Sequence, residues 1–178
     1  MEFYFITGAS GVGKTTLLDQ LAKKHLHWSS WVFHHFDSMG VPSVEEMIKQ
    51  YGSPAGWQEA MTYNWIDKIV KAYATDTEFV FLEGQVDPAF IIKGFERLNL
   101  SGYHLVLIDC SEKEMAYRLT HKRKQPELLN EDMCNWLKFL RKRAQDENIL
   151  IIDTTKLSPE EALESFQKVI ESRAALRV

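Results

Sequence analysis

The sequence predicts a three-layer α/β fold built on a five-stranded parallel sheet. Five short apolar runs, 3–6, 31–36, 79–82, 105–108 and 149–152, have the length of buried strands. Helical patterns separate all of them, and buried strands alternating with helices imply a parallel sheet covered on both faces. A polar residue or a glycine-rich turn follows each run. Ligands of parallel α/β sheets bind at that end of the strands.

The 178 residues are expected to form a single domain, with 45% hydrophobic residues to supply a core and 26% charged. A net charge of −4 gives no reason to expect nucleic acid or an anionic membrane as partner. No apolar run approaches the ~20 residues that cross a bilayer. The first strand begins within a few residues of Met1, so no leader is expected and the cytoplasm is the expected compartment. Cys110 and Cys134 read as reduced thiols rather than a disulfide. No metal-ligand spacing, repeat or low-complexity segment stands out.

The first run leads into Gly8-Ala9-Ser10-Gly11-Val12-Gly13-Lys14-Thr15, an ungapped match to G-x-x-x-x-G-K-[ST]. Behind it Leu17, Leu18, Leu21, Ala22 and Leu26 recur at helical spacing. Strand, glycine-rich loop and helix are the context this phosphate-binding motif requires; a chance glycine-rich turn would lack both flanks. Glycines let the backbone turn until successive N–H groups face phosphate oxygens, and the helix adds its free N–H groups and positive dipole end. Lys14 is then placed for the β- and γ-phosphates and the Thr15 hydroxyl for Mg²⁺, with Thr16 on the same turn.

Asp37, Glu83, Asp109 and Asp153 follow the other four runs. Each could equally be a turn residue or an N-cap. That plain reading is strong for Asp109, before the capping-box-like Ser111-Glu112-Lys113-Glu114, and weaker for Glu83, which Gly84 follows. Between the second and third runs, residues 44–51 read as a short helix. Ser53 and Pro54 then read as the cap and first turn of a long one carrying Trp57, Met61, Trp65, Ile69 and Tyr73 on a single stripe. Such a stripe is core before it is a substrate box. After the fourth run a helix passes through Met115, Ala116 and Leu119 to end near Lys122. A second spans about 131–144. From 118 to 143 there are eight Lys or Arg against three Asp or Glu, a basic hairpin that points to an anionic ligand. For Arg141 to Arg143 the expected role is a solvated helix face.

These residues together resemble the P-loop kinases of the nucleoside and nucleotide kinase type, which include adenylate, shikimate and gluconate kinases. The segment Arg118-Leu119-Thr120-His121-Lys122-Arg123 resembles the arginine-bearing start of their lid. The resemblance implies a sheet order of 2-3-1-4-5, ATP with Mg²⁺ as cofactors, an acceptor-binding region over 37–75 and a lid over 118–130. It implies that Arg118 packs on adenine, that Lys122 and Arg123 contact the phosphates, and that Asp153 and Thr154 begin the adenine loop. Glu83 stands at the Walker B position and Asp37 near the acceptor hydroxyl or a Mg²⁺ water. Asp37 is then first choice to orient or deprotonate the acceptor, and Glu83 second.

Other P-loop classes fit less well. No Asn-Lys-x-Asp base reader is present, as in GTPases, and 100–103 stops short of an ATP-binding-cassette signature. AAA-type ATPases pair two acids at Walker B and carry a further helical domain, for which the chain is short. The expected activity is γ-phosphoryl transfer from Mg-ATP to a small-molecule hydroxyl. Trp57, Tyr63 and Gln85 are candidates for the acceptor pocket, and with only Lys49, Lys68 and Lys71 as cations in 37–75 the acceptor is expected to be an uncharged nucleoside or sugar-like alcohol. A regulatory NTPase module, a nucleotide kinase and a polynucleotide 5′-hydroxyl kinase are the rivals. A homodimer is compatible with the sequence, which does not fix the oligomeric state.

Overall fold

A computed structural model describes residues 1–25, 27–73 and 76–175; Leu26, the last position of the first helical pattern, lies outside them, as do the final two residues of the 37–75 region. The strands β1 (Glu2–Thr7), β2 (Trp31–His35), β3 (Phe79–Gly84), β4 (Tyr103–Asp109) and β5 (Leu150–Asp153) form one five-stranded parallel sheet of order β2-β3-β1-β4-β5. The chain divides into two compact units, drawn from Met1–Thr7 with His27–Leu105 and from Gly8–Leu26 with Val106–Val178.

In the first unit β1, β2 and β3 run parallel with Thr7 opposite Gly84 and His35 opposite Glu83. Every residue of β1 and β3 is buried, as strands covered on both faces require. One face packs Phe3, Phe5, Val80 and Leu82 against Trp65, Ile66 and Ile69 of helix α3 (Pro54–Ala72) and Ile91 and Phe95 of α4 (Pro88–Arg97). Ser53 caps α3 by accepting from the Gly56 N–H at 3.0 Å, with Pro54 in the first turn where its missing N–H costs nothing. The stripe from Trp57 to Tyr73 is core: Trp57, Trp65 and Ile69 are buried, and Met61 and Tyr73 pack against them. The indole N–H of Trp65 donates to the Phe36 carbonyl at 3.0 Å, so the largest buried ring also leaves no polar group unmet. That bond falls where β2 stops. Phe36, expected in the strand, instead opens a 3₁₀ turn over Phe36–Met39. Helix α2 (Val44–Tyr51) starts at a Ser43–Glu46 capping box and stops at the left-handed Gly52.

In the second unit α1 (Lys14–Lys24) packs beside α7 (Pro159–Ala175), with Lys24 Nζ donating to Gln167 Oε1 at 2.8 Å. Ser111 caps the short α5 (Glu112–Tyr117), which continues as one π-turn, Arg118–Lys122. Asn130 caps α6 (Glu131–Asp146), whose inner face buries Leu137, Leu140 and Ala144. Ile149, expected to start the last strand, is held to α6 by its N–H bond to the Ala144 carbonyl at 2.8 Å, so β5 begins one residue later.

Candidate active site

The glycine-rich loop owes its shape to contacts inside the second unit. A Cβ on Gly8 would lie 2.4 Å from the Ile108 carbonyl oxygen. Gly11 has φ +82°, and a Cβ there would lie 2.9 Å from Leu119 Cγ. Any side chain at either position would push the loop off β4 or off the π-turn. Gly13, at the N-cap of α1, offers no side chain to the helix, so its first-turn N–H groups keep no side-chain cap. Lys14 is 8% exposed and its Nζ donates to the Ala9 carbonyl at 3.0 Å, which folds the ammonium back over the loop. Thr15 and Thr16 are exposed on the first turn of α1.

A cavity of about 600 Å³ opens over this loop, within the range that holds a nucleotide-sized ligand. Gly11 to Thr16 line it, with Arg118, Lys122 and Arg123 from the π-turn and Thr154 from the end of β5. Gly8, Ala9, Ser10 and Asp153 do not line it. The π-turn is closed by the Arg123 N–H donating to the Arg118 carbonyl at 2.9 Å. Such turns recur at functional sites because the extra residue re-aims side chains. The Arg118 guanidinium is anchored on several sides. Nε donates to Glu114 at 2.7 Å, Nη1 to the Val12 carbonyl at 3.0 Å and the Thr154 hydroxyl at 2.9 Å, and Nη2 to the Thr154 carbonyl at 2.6 Å. These bonds use four of its five N–H groups and fix the plane of the guanidinium, which lines the cavity. Asp153 accepts from the Thr155 hydroxyl and N–H, and these bonds hold its carboxyl below the ordinary range, with Arg141 and Arg118 adding to the effect.

Sequence reasoning missed Glu114, Leu157, Ser158, Pro159 and Ala162, which also line the cavity. Two signals were there to find. Glu114 precedes Arg118 by one helical turn, and Ser158-Pro159-Glu160-Glu161 is a capping box, with the Ser158 N–H donating to Glu161 at 2.8 Å. Two expectations need correction. Asp109, expected as a turn residue or N-cap, is neither: it ends β4, while Ser111 caps α5 as its capping-box-like sequence suggests, and the Asp109 carboxylate accepts from Arg141 Nε at 2.6 Å. Arg141 is therefore not part of a solvated face, and it also donates to the Cys110 carbonyl. Cys110 and Cys134 are free thiols, and burial pushes the Cys110 thiol up to about 11.

The first unit gathers the other candidates at the ends of β2 and β3. Glu83 is 7% exposed and accepts from His35 Nδ1 at 2.8 Å. Asp37 is exposed on the 3₁₀ turn, where its carbonyl accepts from the Gly40 N–H at 2.9 Å. Gln85 lies in the loop after β3. That loop is clasped by the Gln58 amide, which donates to the Gln85 carbonyl at 2.8 Å and accepts from the Asp87 N–H at 2.9 Å. Trp57 lies in the core, edge-on to Phe36. Tyr63 donates to Glu59 at 2.7 Å and carries the Arg97 guanidinium over its ring.

This loop, cavity and sheet order define a P-loop domain of the kinase type. A family model described as an AAA domain matches residues 5–135, and the chain belongs to that family. No curated protein matches the sequence. Among solved structures, the shikimate kinase from Acinetobacter baumannii in complex with shikimate is 15% identical, with a TM-score of 0.64 over 97% of this chain and 94% of that one. A gluconokinase from Sinorhizobium meliloti 1021 is 18% identical, with a TM-score of 0.62 over 98% and 97%. The thymidylate kinase from Ehrlichia chaffeensis is 16% identical, with a TM-score of 0.56 over 96% and 98%. The fold is shared with all three. No helix among the described residues is long and apolar enough to cross a membrane.

The glycine-rich loop fits a nucleotide: Gly8 and Gly11, whose Cβ atoms would clash with Ile108 and Leu119, let the backbone hold the shape in which successive N–H groups face phosphate oxygens. Among the described residues no three acids, histidines or cysteines form a metal cage. Each unit carries oxygen donors of the kind Mg²⁺ takes, the Thr15 hydroxyl in the second and the Asp37 and Glu83 carboxylates in the first; Mg²⁺ keeps several waters and binds through one or two carboxylates together with substrate phosphates.

Proposed function

We propose that the chain is an ATP-dependent phosphotransferase that moves a γ-phosphoryl group to a hydroxyl of a small molecule. The observation that carries the reading is the cavity over the loop, where Lys14 and the helix N-terminus share a wall with Arg118, Lys122 and Arg123. Phosphoryl transfer needs positioning and charge neutralisation more than covalent chemistry, and this is a positioning site with cations. In the proposal the chain works as one kinase-like domain. The loop N–H groups and Lys14 hold the β- and γ-phosphates. Thr15, Glu83 and Asp37 hold Mg²⁺ with its waters; when bound, the ion offsets charge on the phosphates. The Arg118 face stacks on adenine beside Thr154, and residues 118–130 serve as lid. Asp37 orients or deprotonates the acceptor hydroxyl, and Lys122 and Arg123 neutralise charge on the group in transfer.

An uncharged acceptor, a nucleoside or sugar-like alcohol, is the class that the electrostatics of 37–75 favour. Lys68 lies over the Trp65 ring, and Lys49 and Lys71 sit in the last turns of α2 and α3. In this reading Tyr63 and Gln85 belong to its pocket, and Trp57, buried edge-on to Phe36, supports it from the core. A panel of nucleosides, sugars, polyols, nucleotides and oligonucleotide 5′ ends, with ATP and Mg²⁺, tests the reading. Transfer to a small uncharged hydroxyl supports it. Hydrolysis indifferent to every acceptor supports a regulatory NTPase instead.

A further inference from the structure

Loop, cavity and π-turn leave His35 without a role. It is one of two adjacent histidines on β2, and the two behave differently. His34 faces the core side, with its Nε2 3.1 Å from the Tyr73 hydroxyl and its ring 5.0 Å from that of Trp65. His35 points to the other face, as strand alternation requires, and its side chain is 41% exposed. An imbedded ring fills space; a ring this exposed adds little to a core. What it does instead is reach the register partner across the sheet, donating Nδ1–H to Glu83 Oε1 at 2.8 Å.

That donor helps to hold Glu83. Its side chain is 9% exposed, and a carboxylate so deeply placed is costly unless hydrogen-bonded. The next position cannot supply a second polar group. Gly84 is pressed against Phe36 so closely that a Cβ would lie 2.5 Å from Phe36 Cβ and 3.1 Å from Phe36 Cγ. The contact that starts the 3₁₀ turn after β2 therefore forbids the paired acids seen at this position in other P-loop proteins. The strand end keeps one acid, and the neighbouring strand holds it. The same histidine is anchored from below, since Ser38 Oγ donates to its carbonyl at 2.7 Å within the turn that carries Asp37.

We infer that His35 is a positioning residue, which fixes the Glu83 carboxylate in the orientation that receives a divalent cation. The inference rests on the phosphotransferase reading and deepens it at one acid. His35 touches no reacting atom in this account; it acts through Glu83.

The test compares wild type with His35→Ala, His35→Asn and Glu83→Gln, and His35→Ala in the Glu83→Gln background. Asparagine keeps an N–H donor near the place of Nδ1; alanine removes it. The first readout is Mn²⁺ affinity of the ADP-bound protein by electron paramagnetic resonance, which needs no acceptor; the second is turnover and KM for ATP. We expect His35→Ala to weaken Mn²⁺ binding by about 10–100-fold, the usual cost of losing the partner that orients a metal ligand. His35→Asn should recover most of that loss, and His35→Ala should add nothing once Glu83 is Gln. Turnover should fall with Mn²⁺ affinity while KM for ATP holds within about threefold. Equal Mn²⁺ affinity in all proteins, equal effects of Ala and Asn, or additive effects in the double variant would overturn the inference. If His35→Ala fails to fold, the ranking of Asn against Glu83→Gln decides: Asn must stay near wild type. Failure of the phosphotransferase reading is visible separately, as wild type that transfers to no hydroxyl.

Discussion

Arg118 and Thr154 are joined twice, by Nη1 to the hydroxyl at 2.9 Å and by Nη2 to the carbonyl at 2.6 Å. Thr154 in turn donates to the Val12 carbonyl at 3.0 Å, and Arg118 reaches the same carbonyl. One planar guanidinium thus ties the phosphate loop to the segment after β5. Arg118→Ala should raise KM for ATP and cost about 1.5–3 kcal/mol, the range for hydrogen bonds to a charged group. A lysine cannot reproduce the fork, so Arg118→Lys should lie closer to Ala than to wild type. Thermal melts with ATP titrations check both; wild-type behaviour of Arg118→Lys would show the fork to be idle.

Arg123→Ala should separate from this pattern. Arg123 lines the cavity at the end of the π-turn, and its side chain is exposed. Its charge matters most as negative charge shifts on the phosphoryl group, so turnover should fall more than ATP affinity. Steady-state kinetics on the two variants decide; if both stay within about 0.5 kcal/mol of wild type, this basic stretch is only surface.

Asp37→Asn should lower turnover by about 10²–10⁴, the range for losing a positioned acid or base. Asp37 is exposed on a surface turn, so its loss should leave the melting temperature near wild type. Binding of ATP should change little. A loss of ATP affinity at unaltered turnover would remove Asp37 from the acceptor.

Stability should fall as pH drops through the histidine range. Burial first, then the Lys68 and His35 charges, hold His34 below its ordinary 6.5, and the Tyr73 hydroxyl faces it. Above 6.5 both folded and unfolded chains carry it neutral. As pH falls below 6.5 the unfolded chain takes up a proton that the folded one refuses, so stability declines until the folded pKa is passed. His25 is lowered the same way by burial and Lys24. Melting temperatures from pH 7.5 to 5 should therefore fall, and less steeply for His34→Gln. Equal slopes would place the effect elsewhere.

What was legible in the sequence was whatever is local. The loop, its strand and its helix are contiguous, and the Ser53-Pro54 start of α3 and the limits of α2 follow from caps and breakers within a few residues. Pairings between distant segments were not legible. Arg141 looked solvated because Asp109, 32 positions earlier, cannot be assigned to it by periodicity. Glu114 and Ser158 line the cavity through how α5 and α7 begin, which spacing alone does not orient. The Gly84 gap beside Glu83 has a cause in Phe36, in the 3₁₀ turn after β2.

The destination of the γ-phosphoryl group tests the central claim most directly. ATP, Mg²⁺ and the best acceptor of the panel should be followed by ³¹P nuclear magnetic resonance, with Lys14→Ala as control. The account predicts a new phosphomonoester signal growing with ADP in wild type, and neither in Lys14→Ala, whose buried ammonium is committed to the loop. Inorganic phosphate growing with ADP, with no phosphomonoester for any hydroxyl offered, would contradict it.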